Sequence, residues 1–403
     1  MRILLLSPWL PWPPHDGGRI RVLETLRFLA ARHQVTLLTH VSSQAERQHV
    51  DALRGLCESV EVRFVGADRL HRIGRVALGL LQGYPVIQSI YYSRELADLL
   101  RKLSADDRFD IIQIEFSMIA RYARAISSRC TAKRVLSTHN IESQRFEREI
   151  PLSRWGLRRL ALMINGWMFP AWEQRSLQQF DGAVAVSEHD RDWLRRHLPG
   201  GMVGFVPNGV DCSYFQPNPT DGVGASLVFT GVMDYPPNVD AVLWFVGEVF
   251  PRLRARFPEL RFDIVGARPS PQVLALQDRA GVTVTGEVPD VRPFVRKAAA
   301  FVVPLRSGGG TRLKILQAMA LGCPVISTRI GAEGLDVAHD QTLLFADEGT
   351  EFLKQLERLL ESHDLRQRIV HQGRELVTRR YEWQSCLLGL EDLYRQLSER
   401  AET

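Results

Sequence analysis

Short runs rich in leucine, isoleucine and valine recur along the chain, separated by longer segments whose apolar positions fall at three- and four-residue spacing. The first series is RILLL from Arg2, QVTLLTH from Gln34, VEVRFV from Val60, DIIQIE from Asp110, RVLSTH from Arg134 and AVAVS from Ala183. A second series follows: LVFTG from Leu227, RFDIVG from Arg261, VTVTG from Val282, AFVVPL from Ala300, PVIST from Pro324 and TLLFA from Thr342. Strand-length runs alternating with helical segments predict βαβ units around parallel sheets, so the chain reads as two doubly wound α/β domains in tandem. The stretch VPNGVDCSYFQPNPTDGVG breaks every periodicity and marks the seam. The expected division is an N-terminal domain over 1–207, a linker over 208–225 and a C-terminal domain over 226–382. The segment from Trp383 has apolar residues at helical spacing and is expected to dock back, over 383–403, on the N-terminal domain.

Composition narrows the class without naming a ligand. The chain has 403 residues, 45% hydrophobic and 24% charged, which suits a globular protein with a core in each half. A net charge of +5 fits a phosphorylated partner, a nucleic acid or an anionic membrane equally well. The arginines are not interleaved on any recognised nucleic-acid module, so no nucleic-acid partner is expected. Five cysteines without a C-x-x-C pair argue against a disulfide framework and for a reducing, cytoplasmic setting. The apolar run near the N-terminus is too short for a signal peptide, and no stretch reaches the roughly 18 residues needed to span a bilayer.

Ligands of open α/β sheets bind beyond the carboxyl ends of the strands, and two such domains are expected to face one another across a cleft. After the first strand, a proline-rich loop ends in Gly17 and Gly18 before a helix, where backbone amides can approach an anion or a sugar hydroxyl; a merely connecting loop is the alternative. Neither G-x-G-x-x-G nor a P-loop is present, which removes the main support for dehydrogenase and NTPase readings. His139 follows directly on a strand and can bond a sugar hydroxyl or exchange a proton; a histidine that only satisfies local backbone is equally compatible. Asp190-Arg191-Asp192 has the D-x-D form of metal-dependent sugar transferases, but it opens a helix after Ser187, where acids suit the helix dipole. No metal site is expected.

In the second half, FTGVMDYPPNVDAVLWF places Gly231 after a strand and Asn238 near a helix start, where an N-cap role for Asn238 is the simple explanation and a ligand contact the other. RFDIVG ends its strand on Gly266, and VTVTGEVPD puts Glu287 and Val288 where backbone groups can meet a flat base edge. The strongest motif is SGGGTRLKILQAMALGCPVIST. Amides from Gly308, Gly309, Gly310 and Thr311, a helix N-terminus, and the cations Arg312 and Lys314 together predict a pyrophosphate site, with Gly322 as C-cap. No carboxylate lies between Asp290 and Glu333. A purely structural glycine loop is the alternative.

Taken in order, these motifs resemble a glycosyltransferase of family 4 with the two-Rossmann GT-B architecture. The resemblance runs through Gly17-Gly18, STHN with His139, AVSE, VPNGVD, TGVMDYPPNVDA, GEVPDV, the glycine motif and GAEGL. Within the family the chain is most similar to the bacterial sugar transferases associated with exosortase and exopolysaccharide gene clusters. The resemblance implies a nucleotide-sugar donor, UDP-linked in the first instance, held mainly by the C-terminal domain, and a saccharide acceptor, expected to be lipid-linked, held by the N-terminal domain. It also implies transfer with retention of configuration and without a cofactor or metal. His139 is then expected to position the donor sugar or stabilise the transition state.

Two departures from the family pattern stand out. The positions that commonly carry two glutamates are Gly309 and Gln317, and VMDYPPNVD lacks the Arg and Lys common after the first strand of the C-terminal domain. Arg312 and Lys314 are expected to take over neutralisation of the diphosphate. The basic, aromatic-containing segments from Arg69 and from Arg145 read either as helices lying on an anionic membrane or as helices packed on the N-terminal domain. The expected location is the cytoplasm, including the inner face of the plasma membrane. A GT-B sugar-nucleotide epimerase and a non-catalytic nucleotide-sugar-binding protein are the competing functions.

Overall fold

The computed structural model describes residues 1–64, 69–151, 156–218, 224–308 and 312–400. Gly309, Gly310 and Thr311 of the expected pyrophosphate site lie outside the described residues, as do the side chains of 69–72.

Two parallel sheets carry the fold. The first comprises β1 (Arg2–Ser7), β2 (Gln34–Val41), β3 (Ser59–Phe64), β4 (Ile111–Glu115), β5 (Lys133–Ser137), β6 (Gly182–Ala185) and β7 (Met202–Phe205). The second comprises β8 (Ser226–Thr230), β9 (Arg261–Val265), β10 (Val282–Gly286), β11 (Ala300–Val303), β12 (Val325–Ser327) and β13 (Leu344–Phe345). Their orders are β3-β2-β1-β4-β5-β6-β7 and β10-β9-β8-β11-β12-β13, with every pairing parallel. Helices cover both faces of such sheets, which is why Ile3 to Leu6 of β1 and Leu227 to Phe229 of β8 are fully buried on both sides. Twelve of these strands coincide with the apolar runs. The thirteenth, β7, escapes that reading because MVGF is short, interrupted by glycine and only half-buried.

The helices that matter to the site are α1 (Gly17–Ala30), α2 (Arg69–Leu81), α3 (Glu142–Glu149), α4 (Leu157–Leu177), α5 (Glu188–His197), α6 (Pro236–Trp244), α7 (Leu313–Ala320) and α8 (Trp383–Glu399). The chain divides into two compact units, Met1–Pro207 with Leu387–Thr403, and Asn208–Cys386. Helix α8 therefore starts in the second unit and finishes in the first. Its Leu393 lies against Gly204 of β7 and its Leu397 against Gly182 of β6. In the second unit Phe245, Phe250 and Phe262 form an aromatic core, with ring centroids of Phe245 and Phe262 4.9 Å apart.

In each sheet the strand order reverses at one place, between β1 and β4 in the first and between β8 and β11 in the second. The loops that leave adjacent strands there diverge to opposite faces and open a crevice at the carboxyl ends, the usual ligand position in doubly wound sheets. Gly17 and Gly18 follow β1, and Gly231 and Gly308 follow β8 and β11, at these reversals; His139 follows β5, and Gly266 and Glu287 follow β9 and β10, on neighbouring strands.

Candidate active site

In the first unit, Gly17 and Gly18 are the first two residues of α1, whose N-cap is Asp16; its carboxylate accepts from the Arg19 amide at 2.9 Å. The Arg19 guanidinium bonds Asp16 at 2.6 Å and lies 5.7 Å from the Trp9 ring, tying the helix start to the loop after β1. His139 leaves β5 two residues after Ser137. Its Nε2 is 2.8 Å from Glu115 Oε2, at the carboxyl end of the neighbouring β4. Phe116 stacks on the His139 ring, with centroids 3.6 Å apart and planes 21° from parallel. To do so Phe116 takes φ +74°, a left-handed conformation that is strained for an aromatic residue. Burial depresses the His139 pKa below its ordinary value, against the opposing pull of Glu115. Burial alone would raise the Glu115 carboxyl; the His139 hydrogen bond and the Arg21 charge outweigh it and hold Glu115 ionised.

The helix that follows His139 is anchored from outside. Glu173 of α4 accepts from the amides of Glu142 at 3.0 Å and Ser143 at 3.2 Å, taking up donors that α3 leaves open at its N-terminus. Burial pushes the Glu173 carboxyl up to about 7. The D-x-D residues do ordinary helix work: Ser187 caps α5 by accepting from the Asp190 amide at 3.0 Å, and Arg191 pairs with Glu188. Among the described residues no group of three His, Cys, Asp or Glu side chains could hold a metal ion.

In the second unit the N-cap of α6 is Tyr235, not Asn238, because Pro236 and Pro237 begin the helix two residues earlier. Asn238 instead stitches the turn to a distant helix: its Nδ2 donates to the Val232 carbonyl at 2.9 Å and its Oδ1 accepts from Lys314 Nζ at 3.1 Å. Lys314 is the second residue of α7, and its ammonium lies 4.0 Å from the Phe229 ring centroid, a cation–π distance. Burial, followed by the neighbouring Arg312 charge, lowers its pKa well below the usual lysine value. A Cβ added at Gly231 would sit 2.7 Å from Asn238 Nδ2 and 2.9 Å from Lys314 Nζ, so only glycine admits these two groups to the loop after β8. A Cβ at Gly266 would be 1.8 Å from the Gly231 carbonyl oxygen, which makes the absence of a side chain there a condition of the fold.

The remaining candidates line the same edge of the second sheet. Gly266 donates its amide to the Gly286 carbonyl at 3.0 Å, and Glu287 and Val288 follow, the first exposed and the second half-buried. Gly308 has φ +109° and lies against the Arg312 guanidinium. Arg312 is the N-cap residue of α7, and Gln317 is one turn beyond Lys314, half-buried. Gly322, with φ +75°, comes one residue after the cap Leu321. Three contributions were not read from the sequence. Glu115 ends the apolar run of β4, and a carboxylate in that place is a signal. Arg306, just ahead of the glycines, is held by Asp240 through Nε at 3.0 Å and Nη2 at 2.5 Å. Asn238 as the partner of Lys314 had no sequence signal.

Comparison with known proteins bears on the family and the fold. The family model described as Glycosyltransferase Family 4 matches residues 15–214, and the model described as Glycosyl transferases group 1 matches residues 224–362. A 44.6 kDa protein of the cps region of Klebsiella pneumoniae is 22% identical over 371 residues, 88% of this chain and 90% of that protein. The phosphatidyl-myo-inositol mannosyltransferase of Mycobacterium leprae is 27% identical over 241 residues, 56% of this chain and 60% of that one. Among solved structures, Anabaena HepE in complex with UDP and glucose superposes with a TM-score of 0.63 at 15% identity, covering all of both chains. Matched over most of its length by glycosyltransferase models and built on two parallel sheets, the chain belongs to the family 4 glycosyltransferases and has the GT-B fold.

Proposed function

We propose that this glycosyltransferase moves a sugar from a UDP-sugar to a lipid-linked saccharide, with retention of configuration and without a metal ion, during assembly of exopolysaccharide or another cell-surface glycan. The observation that carries the donor half is the position of Lys314. Its ammonium comes from α7 yet sits at the loop after β8, beside Gly231, where the family commonly has its own basic residues. As the glycosidic bond to the diphosphate breaks, negative charge accumulates on the leaving phosphate. A pre-placed ammonium, the Arg312 guanidinium and the amides of the glycine loop stabilise that charge, which is metal-independent electrostatic catalysis. Gly266, Glu287, Val288 and Gln317 then hold the nucleoside end. His139, with Gly17 and Gly18, serves the sugar and the acceptor.

Support for UDP comes from HepE, whose structure contains it. Support for a lipid-borne acceptor comes from the named activity of the M. leprae relative and from the surface of α4. There Leu157, Leu160, Met163 and Trp167 are exposed along one face, Leu157 by 87% and Trp167 by 82%, next to Arg158. Ile73, Leu78 and Leu81 of α2 are exposed likewise. Apolar side chains flanked by arginine are the composition of a helix that rests on an anionic bilayer. The deciding experiment is a thermal-shift screen of UDP-, GDP- and ADP-sugars in EDTA, since a donor that binds the native state raises its apparent stability by mass action. Stabilisation by UDP-sugars alone supports the reading; stabilisation by none of them, or only by GDP-sugars, rejects it.

A further inference from the structure

We propose that Tyr394 of the returning helix α8 anchors a buried hydrogen-bond chain, Tyr394–Gln113–Glu115–His139, that fixes the His139 ring with its proton on Nε2, making Glu115 and Tyr394 positioning residues for sugar transfer. The inference rests on the reading of His139 as a residue of the transfer site. Every link has a defined donor. The Tyr394 hydroxyl donates to Gln113 Oε1, Gln113 Nε2 donates to Glu115 Oε1 at 2.6 Å, and His139 Nε2–H donates to Glu115 Oε2 at 2.8 Å. An ionised carboxylate can only accept, so it holds the imidazole in the Nε2–H tautomer and leaves Nδ1 as the ring atom open to a ligand. No described residue bonds that Nδ1.

The chain lies in an otherwise apolar layer of the first sheet. Gln113 and Glu115 alternate with isoleucines on the central strand β4, and both are fully buried, as is Tyr394. Apolar residues of similar volume commonly serve stability as well as or better than a buried charged network. Their arrangement instead orients one ring, as an acidic partner orients the histidine of a catalytic triad. Two elements besides β4 bring charge to that ring, Arg21 from α1 and Glu142 from α3; α8 contributes only the neutral phenol of Tyr394, through the chain. Helix α8, whose Tyr394 is 281 residues from Gln113 in sequence, is thereby tied to the orientation of His139.

The test uses the full chain labelled with 15N-histidine, and compares wild type with Glu115→Gln, Tyr394→Phe and His139→Asn. The signal lost in His139→Asn assigns the ring. Wild type is expected to show the Nε2–H tautomer. A carboxamide in place of the Glu115 carboxylate would offer an N–H donor to the ring once Gln113 occupies its oxygen. Glu115→Gln is therefore expected to move the proton to Nδ1 and to shift the His139 titration to lower pH, because a negative charge is lost. Tyr394→Phe should keep the fold and the tautomer preference in weakened form. With UDP-glucose as the probe for turnover, we expect about a hundredfold lower kcat for Glu115→Gln and three- to tenfold for Tyr394→Phe, with KM little changed; in Glu115→Asp part of the rate returns. A wild-type ring on the Nδ1–H tautomer, or a Glu115→Gln ring with unchanged tautomer and titration, overturns the chain. Full turnover of UDP-glucose by His139→Asn overturns the underlying site reading instead, while the tautomer measurement still judges the chain.

Discussion

Lys314 Nζ donates to Asn238 Oδ1 at 3.1 Å across 76 positions of sequence, and the two side chains meet directly over Gly231. The lysine is thus delivered by one loop of the second sheet to the end of another. Its depressed pKa means that the unfolded chain binds more protons at this group than the native protein does, from the native pKa up to the ordinary lysine value. Stability at this group therefore rises with pH over that window, and an anion facing the amine favours its charged form.

Binding of UDP should accordingly draw a proton onto Lys314. Calorimetry in buffers of different ionisation enthalpy, repeated over a series of pH values, is expected to show proton uptake in the range where Lys314 titrates and none in Lys314→Met, and UDP affinity should weaken as pH rises through that range. Lys314→Met should lower UDP affinity at least tenfold while leaving the melting temperature unchanged or higher. Unchanged affinity in that variant would remove Lys314 from the phosphate site.

Two glycines of the second unit should respond differently to alanine. At Gly231 the intruding methyl meets two side-chain ends that can swing aside, so we expect a loss of about 1–3 kcal/mol in stability with a larger proportional loss of UDP binding. At Gly266 it meets the Gly231 carbonyl itself, and Gly266→Ala should cost more than Gly231→Ala, about 4 kcal/mol or above. Urea unfolding of the two variants side by side checks the order; equal stability would mean that the strand ends separate easily.

His40 offers a pH dependence in the first unit. Burial, with the Arg75 charge adding to it and the Pro8 carbonyl opposing, pushes its pKa down to about 4, and its Nε2 lies 3.1 Å from the Tyr122 hydroxyl. Between about 4 and 6.5 the unfolded histidine binds a proton that the native one does not, so stability is lost as pH falls through 6.5 toward 4. The full effect is about 3 kcal/mol from the size of that shift. Subtracting the stability of His40→Asn from that of wild type at each pH should give a difference that shrinks over this window; a flat difference would show that His40 titrates normally.

The exposed face of α4 should carry membrane binding. Trp167→Ser with Leu160→Ser is expected to reduce sedimentation with vesicles of phosphatidylglycerol and phosphatidylethanolamine about tenfold at low salt, leaving UDP binding intact. Wild-type sedimentation by the double variant would assign that face another role.

Much of the architecture was legible in the chain because strand runs and helical spacing are local patterns: apolar runs from Arg2 and Leu227 can be buried on both faces only in parallel sheets with helix cover. The helix that follows the glycine motif was legible for the same reason, with Arg312 at its N-cap and Lys314 in its first turn. What the sequence left undetermined was which distant groups meet. Glu115 and His139 are joined by the register of β4 on β5, where Glu115 stands opposite Ser137. Lys314 reaches Asn238 only because β11 lies beside β8, and Tyr394 reaches Gln113 only because α8 returns to the first sheet. Helix α4 is apolar on several sides, so its sequence could not say which face would stay exposed. Local order is set by each residue's neighbours in the chain; a site is built from hydrogen bonds and charges that span it, and only the packing of the sheets brings those within reach.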